Sequence, residues 1–198
     1  MASANATDPA WVAVPPPEGF AEEVASEIGP IAKKIGFVPN VARLLAITPQ
    51  HFLGWWSYFD DLMRGPSGLT KTQREMIAVV VSAEGHCPYC LAAHAAALRL
   101  RTKDAALVDR LAANHRHVEL PPRERAMLDF AVKLTHTPEA CDEADLGRLR
   151  DAGFTDGDIL HIVEVTAIFN YNVRLATATG LFPNPEYHEL GRTVTAKS

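Results

Sequence analysis

The chain has 198 residues, of which 47% are hydrophobic and 22% charged, so one domain can bury a core without metal or disulfide staples. Its formal net charge of −5 gives no basic surface for nucleic acid, and its longest apolar runs are too short for a membrane span. Its three cysteines are too few for a disulfide framework, and no signal-peptide pattern opens the chain, so we expect a cytoplasmic protein.

The beginning of the chain differs from the rest in composition. Residues 1–18 include consecutive prolines at 15–17 and are expected to form an extended arm that packs elsewhere in an assembly through Trp11 and Val12. Residues 19–198 are expected to form a single all-helical domain.

Helical patterns follow one another along that domain, and Gly29 with Pro30 is expected to end the first of them. The segment 49–63 carries Phe52, Trp55 and Trp56, which we interpret as core or subunit interface because nothing polar converges with them. The predicted helical segments are 20–28, 31–35, 41–46, 49–63, 71–84, 88–98, 103–114, 122–134, 143–152 and 159–179.

Two adjacent helices in the middle of the chain carry the strongest chemical signal. Thr70 and Gln73 have the spacing of a capping box, which predicts a helix that begins directly after Thr70 and ends at Gly85. Pro88 suits the first position of the next helix, and that placement makes Cys87 the N-cap.

The second of these helices presents Cys87, Cys90 and His94 on one face, since they stand at i, i+3 and i+7. Because the link is short, the two helices should be antiparallel, which sets Glu75 opposite His94. Glu75 would then orient His94, and His94 would act as base for a thiol.

The two cysteines are close enough in the helix to close a disulfide, so either one could resolve a reaction at the other. A position at the helix N-terminus favours Cys87 as the nucleophile, whereas proximity to His94 favours Cys90. The residues alone leave both assignments open.

A Cys-x-x-Cys pair with a nearby histidine can also be half of a zinc site. A structural zinc needs four ligands, and no second Cys/His cluster with ligand spacing stands elsewhere in the sequence. We therefore expect no metal, with inert buried thiols as the other alternative to redox chemistry.

The second half of the chain repeats part of the first. Residues 120–128 echo residues 69–77, which indicates an internal duplication of a helical hairpin, and Ala126 takes the place of Glu75. Cys141 is interpreted as a free loop thiol.

The last long helix is apolar on most sides and should be central, yet it carries Asn170 and Arg174. These two side chains either clamp the structure or line the pocket, and we favour the structural role because buried polar groups are usually satisfied internally.

The spacing of Glu75, Cys87-x-x-Cys90 and His94 resembles the redox motif of the alkylhydroperoxidase D-like (AhpD-like) family, within the carboxymuconolactone decarboxylase superfamily. The Cys-Pro-Tyr-Cys form, together with residues 36–43, is similar to the peroxidase-related branch of that family. The resemblance spans roughly residues 36 to 182.

This resemblance implies an AhpD-like all-α bundle of about eight or nine helices that forms homo-oligomers (dimer, trimer or hexamer). It implies a thiol-dependent peroxidase with a redox-active Cys87–Cys90 disulfide and no bound cofactor. It gives the peroxide-attacking role to Cys90, and it implies electron exchange with an external thiol, a lipoyl protein or a peroxiredoxin. Tyr89 stands where well-known members have a histidine, and it is a candidate supporting residue.

Two other functions are carried as alternatives. The superfamily name suggests a lyase acting on a lactone acid, chemistry that needs no cysteine pair. A zinc-binding or thiol-sensing helical module would be no enzyme at all.

Overall fold

A computed structural model describes residues 8–192, which form ten α-helices, three short 3₁₀ turns and no β-strand. The expected all-α class is confirmed, with ten helices in place of about eight or nine. Residues 1–7 of the predicted arm and residues 193–198 lie outside the described residues. The helices are α1 (Glu22–Ile35), α2 (Asn40–Leu45), α3 (Pro49–Arg64), α4 (Lys71–Glu84), α5 (Pro88–Thr102), α6 (Ala105–Asn114), α7 (Pro122–His136), α8 (Glu143–Asp151), α9 (Asp156–Ala178) and α10 (Glu186–Glu189).

Helix α4 lies at the centre of the bundle and packs against α5, α6, α7 and α9. It is buried without interruption from Gln73 to Ser82, so it presents no solvent-facing side in that stretch. The predicted capping box is present: Thr70 Oγ1 accepts from the Gln73 N–H at 3.1 Å, and Gln73 Oε1 accepts from the Thr70 N–H at 2.9 Å. The start of the central helix was therefore predicted correctly from two side chains.

The turn between α4 and α5 is tight and is held against α9. His86 adopts a left-handed conformation with φ 50°, and Cys87 caps α5 as predicted. A Cβ on Gly85 would lie 2.5 Å from Cγ1 of Val173, so only glycine allows α9 to approach this closely. This contact fixes the N-terminus of α5 against the longest helix of the bundle.

The prediction that Gly29 and Pro30 end the first helix was wrong. Helix α1 continues through Pro30 and ends at Gly36, whose φ of 91° is left-handed. The buried side chains Val24 and Ile28 pack with aromatic residues of α3, and this packing outweighs the hydrogen bond that proline removes.

The two ends of the described chain meet beside the bundle. The Trp11 N–H donates to the Thr179 carbonyl at 2.8 Å, and the Phe182 N–H donates to the Pro9 carbonyl at 2.7 Å. Although the arm is bound to its own chain here, 67% of the Trp11 side chain is exposed. No helix within residues 8–192 combines the length and the hydropathy that crossing a membrane requires.

The suspected repeat has a structural counterpart in two arginines. The guanidinium of Arg74 is buried and donates to the Leu62 carbonyl in the last turn of α3 and to the carbonyls of Gly65 and Leu69 in the loop before α4. Arg125, at the matching position of α7, donates to the carbonyls of the segment before its own helix, at 115 and 118. Both arginines clamp the chain that leads into their helix, as an internal duplication predicts.

Candidate active site

The two cysteines of the α5 N-terminus are free thiols buried in the protein. Cys87 is 1% exposed and Cys90 4% exposed. As the N-cap, Cys87 accepts a hydrogen bond through its sulfur from the Cys90 N–H, with an N···Sγ distance of 3.3 Å. A sulfur in this position faces the positive end of the α5 dipole.

The surroundings make the two thiols very unequal acids. A hydrogen bond from the Cys90 thiol is the main cause that lowers the pKa of Cys87 from 9.0 to about 6, helped by backbone N–H groups and by the Thr177 hydroxyl and opposed by burial. The pKa of Cys90 is raised well above its ordinary value, because its thiol donates to Cys87 and because it is buried. Of the two thiols, Cys87 is therefore the stronger acid.

Glu75 and His94 form the pair that the helix spacing predicted. Glu75 Oε2 lies 2.8 Å from His94 Nδ1, and Arg101 Nε lies 3.8 Å from the other carboxylate oxygen. The edge-on ring of Phe169, with its centroid 4.5 Å away, holds the imidazole from the side. Because the carboxylate accepts the hydrogen on Nδ1, Nε2 of His94 is left to take or give a proton.

A cavity of about 210 Å³ lies between α1, α3, α5 and α9, and both Cys90 and His94 line it. Cys87 is not among the lining residues of this cavity. A wider groove of about 1140 Å³ lies next to it and shares Trp56, Glu75 and Arg101 with its lining. The remaining walls are mostly apolar and aromatic, including Trp55, Phe59, Met63, Tyr89 and Tyr187.

These walls correct the interpretation of the α3 aromatic residues as core or interface only. Trp55, Trp56 and Phe59 line the cavity that Cys90 opens into, so polar groups do converge with them. The pattern of α3 alone could not show this, because the partners come from α5 and α9.

Comparison with known proteins places the chain in a family. An uncharacterized peroxidase-related protein from Ralstonia eutropha JMP134, described as an alkylhydroperoxidase AhpD core, is 40% identical over 93% of this chain and 97% of its own, with a TM-score of 0.89. The model of the carboxymuconolactone decarboxylase family matches residues 49–104. The chain belongs to the AhpD-like group of the carboxymuconolactone decarboxylase superfamily.

Two further comparisons describe how far this AhpD-like fold extends. An uncharacterized peroxidase-related protein from Silicibacter sp. TM1040 is also 40% identical, with 94% and 97% of the two chains covered and a TM-score of 0.89. The debrominase Bmp8 shares the fold at 16% identity, with a TM-score of 0.74 over 86% of this chain and 90% of that one. A search of curated proteins gave no match.

Tyr89, which stands where the resemblance led us to expect a histidine, is buried and forms part of the cavity wall. Its hydroxyl accepts from the Val41 N–H at 3.2 Å and interacts with the hydroxyl of Tyr187. Burial is the main cause that raises the pKa of Tyr89 well above 10.0 and that of Tyr187 to about 12. Both phenols therefore stay protonated, and Tyr89 ties α5 to α2 and α10.

Asn170 and Arg174, the candidate supporting residues on α9, are not among the lining residues of this cavity. Asn170 Nδ2 donates to Thr135 Oγ1 and to the Thr166 carbonyl, both at 3.0 Å. Arg174 Nη1 donates to the Asn170 carbonyl at 2.9 Å and to its Oδ1 at 3.0 Å. They act as structural clamps, the role that the sequence favoured.

Two cavity-lining residues that were not predicted from the sequence lie on α9 and α10. Asn172 and Tyr187 line the cavity beside Cys90. Asn172 stands two residues from Asn170, and only the orientation of α9 against α3 decides which of them faces the cavity. Within residues 8–192, no group of three or more His, Cys, Asp or Glu side chains is placed to hold a metal ion.

Proposed function

We propose that this AhpD-like protein is a thiol-dependent peroxidase and disulfide oxidoreductase with an antioxidant role. One observation carries the proposal: Cys90 opens into an aromatic cavity together with His94, and the N-cap thiol of Cys87 lies beside it. Glu75 completes the arrangement by orienting His94. The relatives described as peroxidase-related, at 40% identity, support the same class of reaction.

The reaction begins when the proton shared by the two sulfurs moves from Cys90 to Cys87. The Cys90 thiolate then attacks the terminal oxygen of a hydroperoxide, the O–O bond breaks, and Cys90 becomes a sulfenic acid. The leaving alkoxide takes a proton that reaches it through His94, so the product is an alcohol.

Cys87 resolves the sulfenic acid. Its sulfur attacks the Cys90 sulfur, its proton leaves with the hydroxyl as water, and a Cys87–Cys90 disulfide forms. One hydroperoxide and two thiols thus give one alcohol, one water and one disulfide. We propose that an external thiol or a lipoyl protein in the cytoplasm restores the dithiol, that a peroxiredoxin is an alternative electron partner, and that the protein acts as a homo-oligomer.

Trapping of the sulfenic acid tests which sulfur reacts. In Cys87→Ser, peroxide should leave a Cys90 sulfenic acid that dimedone labels, and turnover should cease because no thiol resolves it. In Cys90→Ser, Cys87 should remain unlabelled because it does not line the cavity. Cys141→Ser is the matched control and should keep full turnover, and labelling at Cys87 alone would reverse the assignment.

A lyase acting on a lactone acid is the second candidate, because the matched family model is that of the carboxymuconolactone decarboxylase family. The Glu75–His94 pair could move a proton in such a reaction without sulfur. The double variant Cys87→Ser, Cys90→Ser decides between the two: retained turnover of a lactone acid would favour the lyase, and loss of all peroxide reduction is expected of the peroxidase.

A further inference from the structure

Asn172 is held in one orientation at the wall of the cavity. Its side chain is 7% exposed, and its Oδ1 accepts from Trp55 Nε1 at 2.9 Å. An indole N–H donates and cannot accept, so the amide oxygen must face Trp55. The amide nitrogen of Asn172 is thereby fixed on the opposite side, with two N–H groups to donate.

Those two N–H groups have no acceptor among residues 8–192. Asn172 nevertheless lines the same cavity as Cys90 and His94. The amide nitrogen is accessible from the cavity, and an oxygen atom of a ligand there would supply the acceptor. The neighbouring Asn170, by contrast, has its amide nitrogen fully engaged by Thr135 and Thr166.

Two cationic side chains of the cavity wall face carboxylates of the protein. Arg101 contacts the Glu75 carboxylate, and Arg64 contacts Asp60. Asn172 is a neutral side chain of the same wall whose amide N–H groups remain available to an oxygen that enters the cavity.

A hydroperoxide matches this pattern of donors and acceptors. Its terminal O–H can donate to Nε2 of His94, while its carbon-bound oxygen can accept from Asn172 Nδ2. When the Cys90 sulfur takes the terminal oxygen, the electrons of the O–O bond pass to the carbon-bound oxygen. A donor already aimed at that oxygen binds more strongly as negative charge develops on it.

We propose that the Asn172 amide donates to the carbon-bound oxygen of a small apolar hydroperoxide and stabilises the alkoxide that leaves. This assignment rests on the proposed peroxidase function. The cavity of about 210 Å³ and its aromatic walls favour a compact alkyl or aryl group on that oxygen. Asn172 is thus a catalytic residue of the proposed reaction, and Trp55 is the residue that positions it.

The test compares Asn172→Asp with the wild-type protein on a series of alkyl and aryl hydroperoxides whose alcohols differ in acidity. The Asp side chain keeps an acceptor for Trp55 and removes both N–H donors, so kcat should fall about 100-fold or more. The loss should be greatest for the least acidic alcohols, which makes the dependence of log kcat on leaving-group pKa steeper. A purely structural role would lower kcat equally across the series.

Asn170→Asp is the matched control, because it makes the same change two residues away and outside the cavity, and it should keep the wild-type slope. Asn172→Ala repeats the test without a new charge, in case the Asp variant fails to fold by circular dichroism. If the wild type reduces no hydroperoxide, the proposed function fails. If the wild type is active and both Asn172 variants keep kcat within threefold and an unchanged slope, the Asn172 assignment alone is overturned.

Discussion

At the scale of single residues, the more acidic of the two cysteines is not the one that lines the cavity. Cys87 has the low pKa of about 6, whereas Cys90 has the contact with the cavity. In the proposed reaction the Cys90 proton moves to Cys87. The thiolate then lies on Cys90, the sulfur that a substrate in the cavity can reach. The sequence left the choice between these cysteines open because helix position and proximity to His94 pointed in opposite directions.

The acidity of Cys87 depends first on the Cys90 thiol, so Cys90→Ala should raise the Cys87 pKa from about 6 towards 9.0. Thiolate absorbance at 240 nm, followed against pH, measures this shift, and Cys87→Ala gives the baseline. A Cys90→Ala midpoint still near pH 6 would mean that the helix N-terminus alone sets the acidity.

The same pKa predicts how stability depends on pH. The folded thiol of Cys87 releases its proton near pH 6, and the ordinary thiol releases it near pH 9.0. Between pH 6 and pH 9 the Cys87 thiol is protonated in the unfolded chain and ionised in the folded one. The contribution of Cys87 to the free energy of unfolding therefore rises with pH over this interval and is complete above pH 9. It is lost as the pH falls through about 6, and urea denaturation at several pH values, with Cys87→Ala as the control, measures it.

The Glu75–His94 pair is predicted to move protons, so Glu75→Gln and His94→Gln should each slow peroxide reduction by about 100-fold, the usual size of general acid–base effects. Both replacements are close in shape to the native side chains, and circular dichroism should stay unchanged. Rates within threefold of wild type in both variants would remove this pair from the mechanism. The pairing itself was predictable, because two antiparallel helices with a short link allow few registers.

At the scale of helices, sequence signals predicted helix ends correctly where the capping contact joins residues close in sequence. They failed where packing between helices determines the end of a helix. The capping box of α4 and the Cys87 cap of α5 could be predicted because each involves neighbours in sequence. Pro30 misled the prediction, since the packing of α1 on α3 keeps the helix intact around it. Asn172 was missed for a related reason, as the face that α9 turns to Cys90 depends on three other helices.

The contact of the α4–α5 turn with α9 gives a prediction at this scale. Gly85→Ala places a methyl group 2.5 Å from Val173 Cγ1 and should lower the free energy of unfolding by about 1–3 kcal/mol. Gly54→Ala is the control, because its Cβ meets nothing within 4 Å and a helical alanine should stabilise by about 0.5–1 kcal/mol. Urea denaturation measures both, and equal effects would show that the close approach is unimportant.

At the scale of the whole molecule, the cavity is closed by a segment that the sequence did not predict. Residues after α9 fold back so that Tyr187 forms part of the wall. The Arg99 guanidinium, which is buried, donates to the Tyr187 carbonyl at 2.6 Å and to the Leu190 carbonyl at 2.8 Å. These contacts join positions about ninety residues apart in sequence, so no local sequence pattern could predict them.

Arg99→Met should therefore loosen this wall. We expect a loss of about 2–4 kcal/mol in the free energy of unfolding, because two buried carbonyls lose a charged donor, together with a higher KM for organic hydroperoxides. Arg192→Met is the matched control, since Arg192 pairs with Asp109 at the exposed surface and its loss should cost less than about 1 kcal/mol. Equal stability of the two variants would contradict this role of Arg99.

The central claim is that Cys87 and Cys90 form a cycling dithiol. Its most direct test is to count the thiols of the native protein before and after one equivalent of cumene hydroperoxide, and to locate any new linkage by mass spectrometry. We predict the loss of two thiols, a Cys87–Cys90 disulfide, one equivalent of alcohol and an unmodified Cys141. Two thiols that stay free while the hydroperoxide remains unconsumed would contradict the account.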